Sequence, residues 1–320
     1  MRQKDTGKQD ADYTITEFKR FTKKNLLVNT LMTVVYLGTN YWIGGPMTGH
    51  LLLVVLWFFL YYTHEKTRKF ALGFSIFILY WIVYDAMRGL PNYEVSTVHI
   101  KQPYAIDKAL FGITYHHVLL TPNEFFDLVH VRFLDVLTGL FYLNWVPIPI
   151  AFAVYLYFKD KDIFVKFSLV FLLVNLFGFV IYYLYPEAPP WYVKLYGFHL
   201  HIGVPGNMAG LARFDKILGV SVFQALYAQN ANVLAAMPSL HASYPVIVLY
   251  YALKKKLGWF NIFFVIFLLG IWFSAVYSGH HYVIDVIAGA LLAVVVIYIF
   301  EKLSVRPVFR KILQRYTAII

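Results

Sequence analysis

The 320-residue chain has no cysteine, which excludes thiol nucleophiles, disulfides and thiolate metal sites. Charge is scarce too: 14% of residues are charged, against 60% hydrophobic and 19% aromatic. A soluble domain this apolar would expose too much hydrophobic surface, so the class is a polytopic membrane protein. Acidic residues are the rarer sign, 17 against 28 Lys and Arg, for a formal charge of +11. The basic residues gather in short loops between apolar runs, which argues against a nucleic-acid partner and marks membrane orientation instead. No internal repeat or low-complexity tract is visible. Residues 1–24 are polar, with no apolar core and no small-residue cleavage site, so no cleavable signal peptide is expected. The stretch to Tyr13 reads as disordered.

What is abundant is apolar sequence in runs able to cross about 30 Å of hydrocarbon at roughly 1.5 Å per residue. Spans are read near 26–44, 48–63, 70–87, 137–158, 163–185, 239–253, 259–278 and 281–300. The expected fold is therefore all-α with about eight transmembrane helices. Pro147 and Pro149 predict a kink or re-entry in the fourth. Lys19, Arg20, Lys23, Lys24, Lys66, Arg68, Lys69, Lys159, Lys161, Lys254, Lys255, Lys256, Arg306, Arg310, Lys311 and Arg315 fall on one set of short segments. The longer loops between the other ends, about 88–136 and 186–238, hold few basic residues. The positive-inside rule then places the N- and C-terminal tails, 1–24 and 301–320, in the cytoplasm and the long loops outside. Two N-terminal helices (25–68) precede a core of six (69–300). The outer loops are rich in aromatic and aliphatic residues, and 105–119 and 124–136 read as interfacial amphipathic helices.

Two short stretches carry the chemistry: Pro238-Ser239-Leu240-His241-Ala242 and His280-His281-Tyr282-Val283-Ile284-Asp285. Each opens an apolar run, and both fall at the outer face. Ionisable groups at membrane depth are costly and mark function by default. His281 and Asp285 are four residues apart and share a helix face, so the carboxylate can orient one imidazole nitrogen while the other attacks an electrophile. The plainer alternative is a polar pair capping a helix. Pro238 and Ser239 read as the start of the next span, a helix terminus of the kind that binds phosphate. His241 then stands in the first turn; alone, it reads better as a helix cap with a lone interfacial histidine.

Together, in this order and spacing, the motifs resemble those of the type-2 phosphatidic acid phosphatase superfamily, whose second motif is Pro-Ser-x-His and whose third ends in His-x3-Asp. The resemblance implies a six-helix lipid-phosphatase-like core with His281 as nucleophile, Asp285 as its partner and His241 as acid–base. The phosphatases' Ser-Arg ahead of the nucleophile is Ser274-Ala275 here, and no Lys-x6-Arg-Pro precedes Pro238. In their place stand Tyr185-Pro186-Glu187-Ala188-Pro189-Pro190-Trp191-Tyr192 and Pro205-Gly206-Asn207-Met208-Ala209-Gly210-Leu211-Ala212-Arg213-Phe214-Asp215. With Leu110-Phe111-Gly112 and Leu120-Thr121-Pro122-Asn123, these are similar to the inositol phosphorylceramide synthase branch.

That branch implies transfer of phosphoinositol, or a related phospho-alcohol, from a glycerophospholipid to ceramide through a phosphohistidine. A phosphodiester carries less charge than a monoester, which fits the loss of two arginines. Arg213, Lys194, Ser239, His280 and Tyr192 are the substrate- and phosphate-binding candidates. The expected partners are membrane lipids, a phosphatidylinositol-like donor and a ceramide acceptor, without nucleic acid, metal or cofactor. The expected location is a bacterial inner membrane with a periplasmic site, the alternative being a Golgi membrane with a lumenal one. Competing readings are a lipid phosphatase of the same superfamily acting on phosphatidate-like or polyprenyl diphosphate substrates, and a non-enzymatic lipid transporter. A zinc hydrolase using His116, His117, His199 and His201 with His280 and Asp285 has poor spacing and no His-Glu-x2-His string. Asp85 and Arg88 are expected to pair at the end of the third span.

Overall fold

A computed structural model describes residues 21–43, 47–228 and 232–320. Expectations for the N-terminal tail up to residue 20, including Lys19 and Arg20, lie outside the described residues. The chain runs through α1 (Lys23–Ile43), α2 (Met47–Thr63), α3 (Glu65–Ala86) and α4 (Lys101–Phe111), then a hairpin of β1 (Ile113–Tyr115) and β2 (Val118–Leu120). There follow α5 (Pro122–Leu128), α6 (Arg132–Leu143), α7 (Pro147–Lys159), α8 (Lys161–Leu184) and α9 (Pro190–Tyr196). The remainder comprises α10 (Ala212–Leu218), α11 (Val222–Tyr227), α12 (Leu240–Lys254), α13 (Phe260–Tyr277), α14 (Val283–Ser304) and α15 (Pro307–Ile319).

The fold is helical, as the apolar runs require, and each of the eight expected spans coincides with helix. Four segments, Glu65–Gly89, Lys161–Leu184, Phe260–Tyr277 and Val283–Ser304, are long and apolar enough to cross a membrane; the pair α6–α7 makes a fifth if taken as one span. The protein is a multi-pass membrane protein whose expected span count of eight is approximate. Length explains part of the difference: α12 has 15 residues, a rise of only about 22 Å. The kink forms where the prolines put it. α6 and α7 meet at 41° across 144–146, because Pro147 and Pro149 cannot donate to a continuing helix and crowd the residue before them.

The outer loops differ from expectation in detail. The amphipathic helix read over 105–119 ends at Phe111. His116 and His117 then adopt positive φ (46° and 65°), the geometry of a tight two-residue hairpin turn. The segment 124–136 is two helices broken at 129–131 rather than one. α5 starts on a capping box: Thr121 Oγ1 accepts from Glu124 N–H while the Glu124 carboxylate accepts from Thr121 N–H. Asp85 pairs with Arg88 Nε at 2.8 Å and also meets His50 Nε2 at 3.2 Å, which ties α2 to α3.

α12 is the central helix, packed on α7, α8, α13 and α14, while α3 and α15 lie against α8. Phe164, Phe167, Phe171, Tyr244 and Tyr251 are buried here with ring-to-ring contacts. Lipid tails are as apolar as these side chains, so close van der Waals fit rather than escape from water holds membrane helices together. The fit is tightest where α14 crosses the start of α12. A Cβ on Gly289 would stand 2.0 Å from the Ser239 carbonyl oxygen. Ser243 Oγ donates to Gly289 O at 2.7 Å across the same crossing. This contact fixes the spacing between α12, which carries His241, and α14, which follows the turn of His280 and His281.

Candidate active site

Ser239 caps α12, its Oγ accepting from Ala242 N–H, and is wholly buried. Its backbone N–H donates to Asp285 O at 3.0 Å, so the two motif-bearing helix starts are joined through the main chain. His241 follows in the first turn. Its Nδ1 lies 3.0 Å from His281 Nε2, although 40 residues separate them in sequence. His281 Nδ1 faces Asp285 Oδ2 at 3.5 Å, longer than a formed hydrogen bond. Asp285 Oδ2 also accepts from Tyr282 N–H at 2.8 Å. The carboxylate therefore caps α14 and faces the imidazole, so the two readings of that motif describe one arrangement. When Asp285 accepts from Nδ1–H, the lone pair of His281 sits on Nε2, and His241 Nδ1 is the donor between the rings.

The turn carrying His280 and His281 is held from several sides. Both backbone N–H groups donate to Ala275 O, at 3.2 and 3.1 Å. Ala275 holds the place where the phosphatase pattern has arginine, and it is fully buried. Gly210 N–H donates to Ser278 O and Trp191 N–H to Gly279 O, so the Pro-Pro-Trp and Gly-Leu-Ala-Arg elements both clamp this turn. Asn123, buried on α5, donates from Nδ2 to Val276 O and His281 O, each at 2.8 Å. Sequence reasoning gave Asn123 no role; the capping box two residues before it was the available signal. Tyr142 stacks on both His241 and His280, and Trp145 packs on His241. Neither aromatic was singled out in the sequence, because ring-rich spans carry many equivalent candidates.

The remaining candidates divide. His280 meets Met208 O through Nε2 at 3.1 Å and stacks on Tyr227. Burial, then the neighbouring His281, push its imidazole down to about 3, so it is a neutral donor that braces the turn. Arg213 and Lys194 come together on Asp127, at 3.8 and 2.7 Å. Arg213 is held more firmly by Asp135, Nε to Oδ1 at 2.6 Å, and its Nη2 is buried without a hydrogen-bond partner. Both cations line a cavity of about 780 Å³ with Glu124, Asn207, Trp191 and the Ser278-Gly279 turn. Tyr282 also lines it, but neither imidazole of the His241–His281 pair does. Tyr192 is buried with its hydroxyl on the backbone of His199 and His201. Among the described residues no three His, Asp or Glu side chains are placed to hold a metal ion. His116 and His117 form the hairpin turn instead of joining His280 and Asp285.

An imidazole facing a carboxylate, a second imidazole at its other nitrogen and two helix starts joined back to back are an arrangement that can serve phosphoryl transfer. The family model described as "PAP2 superfamily" matches residues 114–299, a stretch that contains His241, His281 and Asp285. The chain belongs to the PAP2 superfamily. Within it, a phosphoinositol dihydroceramide synthase of Bacteroides thetaiotaomicron is 44% identical over 298 residues, 92% of this chain and 97% of that one. The inositol phosphorylceramide synthase catalytic subunit AUR1 of Saccharomyces cerevisiae is 28% identical over 240 residues, 72% of this chain and 56% of that protein. An inositol phosphorylceramide synthase of Candida albicans is 27% identical over 237 residues, 71% of this chain and 47% of that protein. The chain thus spans about half the length of these two fungal relatives. No solved structure matches it.

The Gly289 crossing gives a direct test of the site's scaffold. Gly289→Ala puts a methyl group against main chain that cannot rotate away, so α12 and α14 must separate. Overpacking of this kind costs about 1–3 kcal/mol, and the expected result is a lowered melting temperature in detergent with at least tenfold less activity. Unchanged melting and activity would show that the crossing has slack.

Proposed function

We propose that this protein is a lipid headgroup transferase, moving phosphoinositol from a glycerophospholipid to ceramide or dihydroceramide. The observation that carries the reading is the His241–His281–Asp285 constellation in a chain 44% identical, over nearly its whole length, to a phosphoinositol dihydroceramide synthase. His281 Nε2 attacks phosphorus and the bond to the diacylglycerol oxygen breaks; His241 gives that oxygen a proton. Phosphoinositol is then bonded to His281. The primary hydroxyl of the acceptor gives its proton to His241 and attacks, which frees His281 and forms the new phosphodiester. Two in-line displacements return the original configuration at phosphorus. In the resting geometry the His241–His281 contact occupies the nucleophilic lone pair, so donor binding has to part the two rings.

The same groups would serve a lipid phosphatase, and the acceptor decides between the two. A water-poor site at membrane depth favours a lipid alcohol over water. The sparse basic residues of the outer loops support a site on the periplasmic side of a bacterial inner membrane, with the basic segments in the cytoplasm. Incubating purified enzyme with phosphatidylinositol and dihydroceramide, and reading lipid products by mass spectrometry, tests the assignment. Phosphoinositol dihydroceramide together with diacylglycerol is expected; inositol phosphate or inorganic phosphate without the ceramide product would make the protein a hydrolase.

Arg213, which lines the cavity beside Lys194, supplies the phosphate contact in this reading. Arg213→Lys keeps a cation beside Asp135 but loses the planar fork. Its expected effect is a rise in KM for the phospholipid donor of about tenfold, with the KM for ceramide unchanged. Equal rises for both substrates would remove Arg213 from the phosphate site.

A further inference from the structure

Behind Asp285 lies a carboxyl group that the mechanism above does not use. Glu187 sits in the loop between α8 and α9 and is wholly buried. Its backbone is pinned on both sides: Glu187 N–H donates to Leu234 O, Ala236 N–H donates to Glu187 O, and Ala188 N–H donates to His99 O. The side chain therefore has one fixed direction, inward. Neither carboxylate oxygen meets an N–H donor, nor does Asp285 Oδ1, which is equally buried. Ala236 N–H on Glu187 O and Ser239 N–H on Asp285 O, three residues apart, tie both residues to one short segment, and Asp285 is the largest charged influence on Glu187. Two bare carboxylates cannot occupy such a place out of water; a proton has to lie between them.

The surroundings say which partner holds it. Asp285 Oδ2 accepts from the Tyr282 N–H and faces the His281 ring. Glu187 has no donor at all, and Asp107, buried nearby on α4, adds a further negative neighbour. Burial first, then Asp285 and Asp107, raise Glu187 well above the ordinary carboxyl range. Asp107, pushed up to about 6 by burial, accepts from Ile284 N–H with Oδ1, and its Oδ2 is buried without a hydrogen-bond partner.

We propose that Glu187 is a positioning residue: its carboxyl O–H donates to Asp285 Oδ1, fixing that carboxylate so that Oδ2 faces His281 Nδ1. The inference rests on the catalytic reading of His281 and Asp285. It gives the Tyr-Pro-Glu-Ala-Pro-Pro-Trp element a second role, since Trp191 clamps the His281 turn from outside while Glu187 sets its orienter from within.

The test compares Glu187→Gln with Glu187→Ala and with Asp285→Asn, all as full-length protein in detergent micelles with phosphatidylinositol and dihydroceramide. A glutamine amide is neutral and still donates, so Glu187→Gln is expected within about threefold of the parent kcat. Glu187→Ala removes the donor and is expected to lose about 10- to 100-fold in kcat, with both KM values within twofold and the melting temperature near the parent's. Glu187→Gln as inactive as Glu187→Ala would overturn the proposal, because a charged carboxylate would then be what the site needs. Full activity of Glu187→Ala would overturn it as well. If Glu187→Ala fails to fold, the kcat of Glu187→Gln decides alone. Full activity of Asp285→Asn sinks the underlying catalytic reading instead, so the two failures are distinct.

Discussion

His281→Ala is expected to lower headgroup transfer by at least about 10³-fold, without a comparable change in KM or melting temperature. Removal of the nucleophile leaves positioning and electrostatics in place but closes the covalent route. The imidazole is 5% exposed and its backbone N–H is held by Ala275 O, so its loss leaves a small polar void and spares the framework. Activity above one-tenth of the parent's would mean that the acceptor attacks phosphorus directly and that His281 only binds. Configuration at phosphorus, read with a chiral labelled donor, gives an independent check: retention is expected for two displacements and inversion for one.

The second large effect belongs to His241. His241→Gln keeps the size and one donor but cannot carry a proton in and out, and general acid–base catalysis contributes about 10²–10⁴-fold. The loss is expected to depend on the leaving group. A diacylglycerol alkoxide needs a proton, whereas the nitrophenolate of a p-nitrophenyl phosphodiester leaves without one. His241→Gln should therefore release a first equivalent of nitrophenolate in a burst at near the parent's rate, then stall with His281 modified, while failing to transfer from phosphatidylinositol. An equal loss on both substrates would assign His241 to binding, or to holding His281, rather than to proton transfer.

Much of this was legible in the sequence, for identifiable reasons. Hydrocarbon thickness forces long apolar runs, so all eight expected spans are helical, and Pro147 and Pro149 announced the bend between α6 and α7. The candidate set was legible because His241, His281 and Asp285 each sit at or beside the start of a helix, where local rules apply. The 3.0 Å approach of the two histidines was not; it depends on Gly289 allowing α12 and α14 to touch. Asn123 stood only inside a motif that carried the resemblance and Tyr142 was not named, for a related reason. Each meets a partner more than 90 residues away, Asn123 on His281 at a separation of 158, and no local pattern encodes such pairing. Tyr192 was named for its place beside Trp191 in a motif, and its hydroxyl bonds the backbone of His199 and His201 in its own loop.

The central claim is that phosphoinositol rides on His281 between the two lipids. It is tested most directly by mixing enzyme with phosphatidylinositol tritiated in the inositol ring, quenching rapidly in alkali and locating the protein-bound label by peptide mapping. The account predicts base-stable, acid-labile label on the His281 peptide, absent in His281→Ala, and fully chased into phosphoinositol dihydroceramide when dihydroceramide is added before the quench. Transfer of the label to dihydroceramide by His281→Ala at the parent's rate, with no labelled peptide at any time, would contradict it.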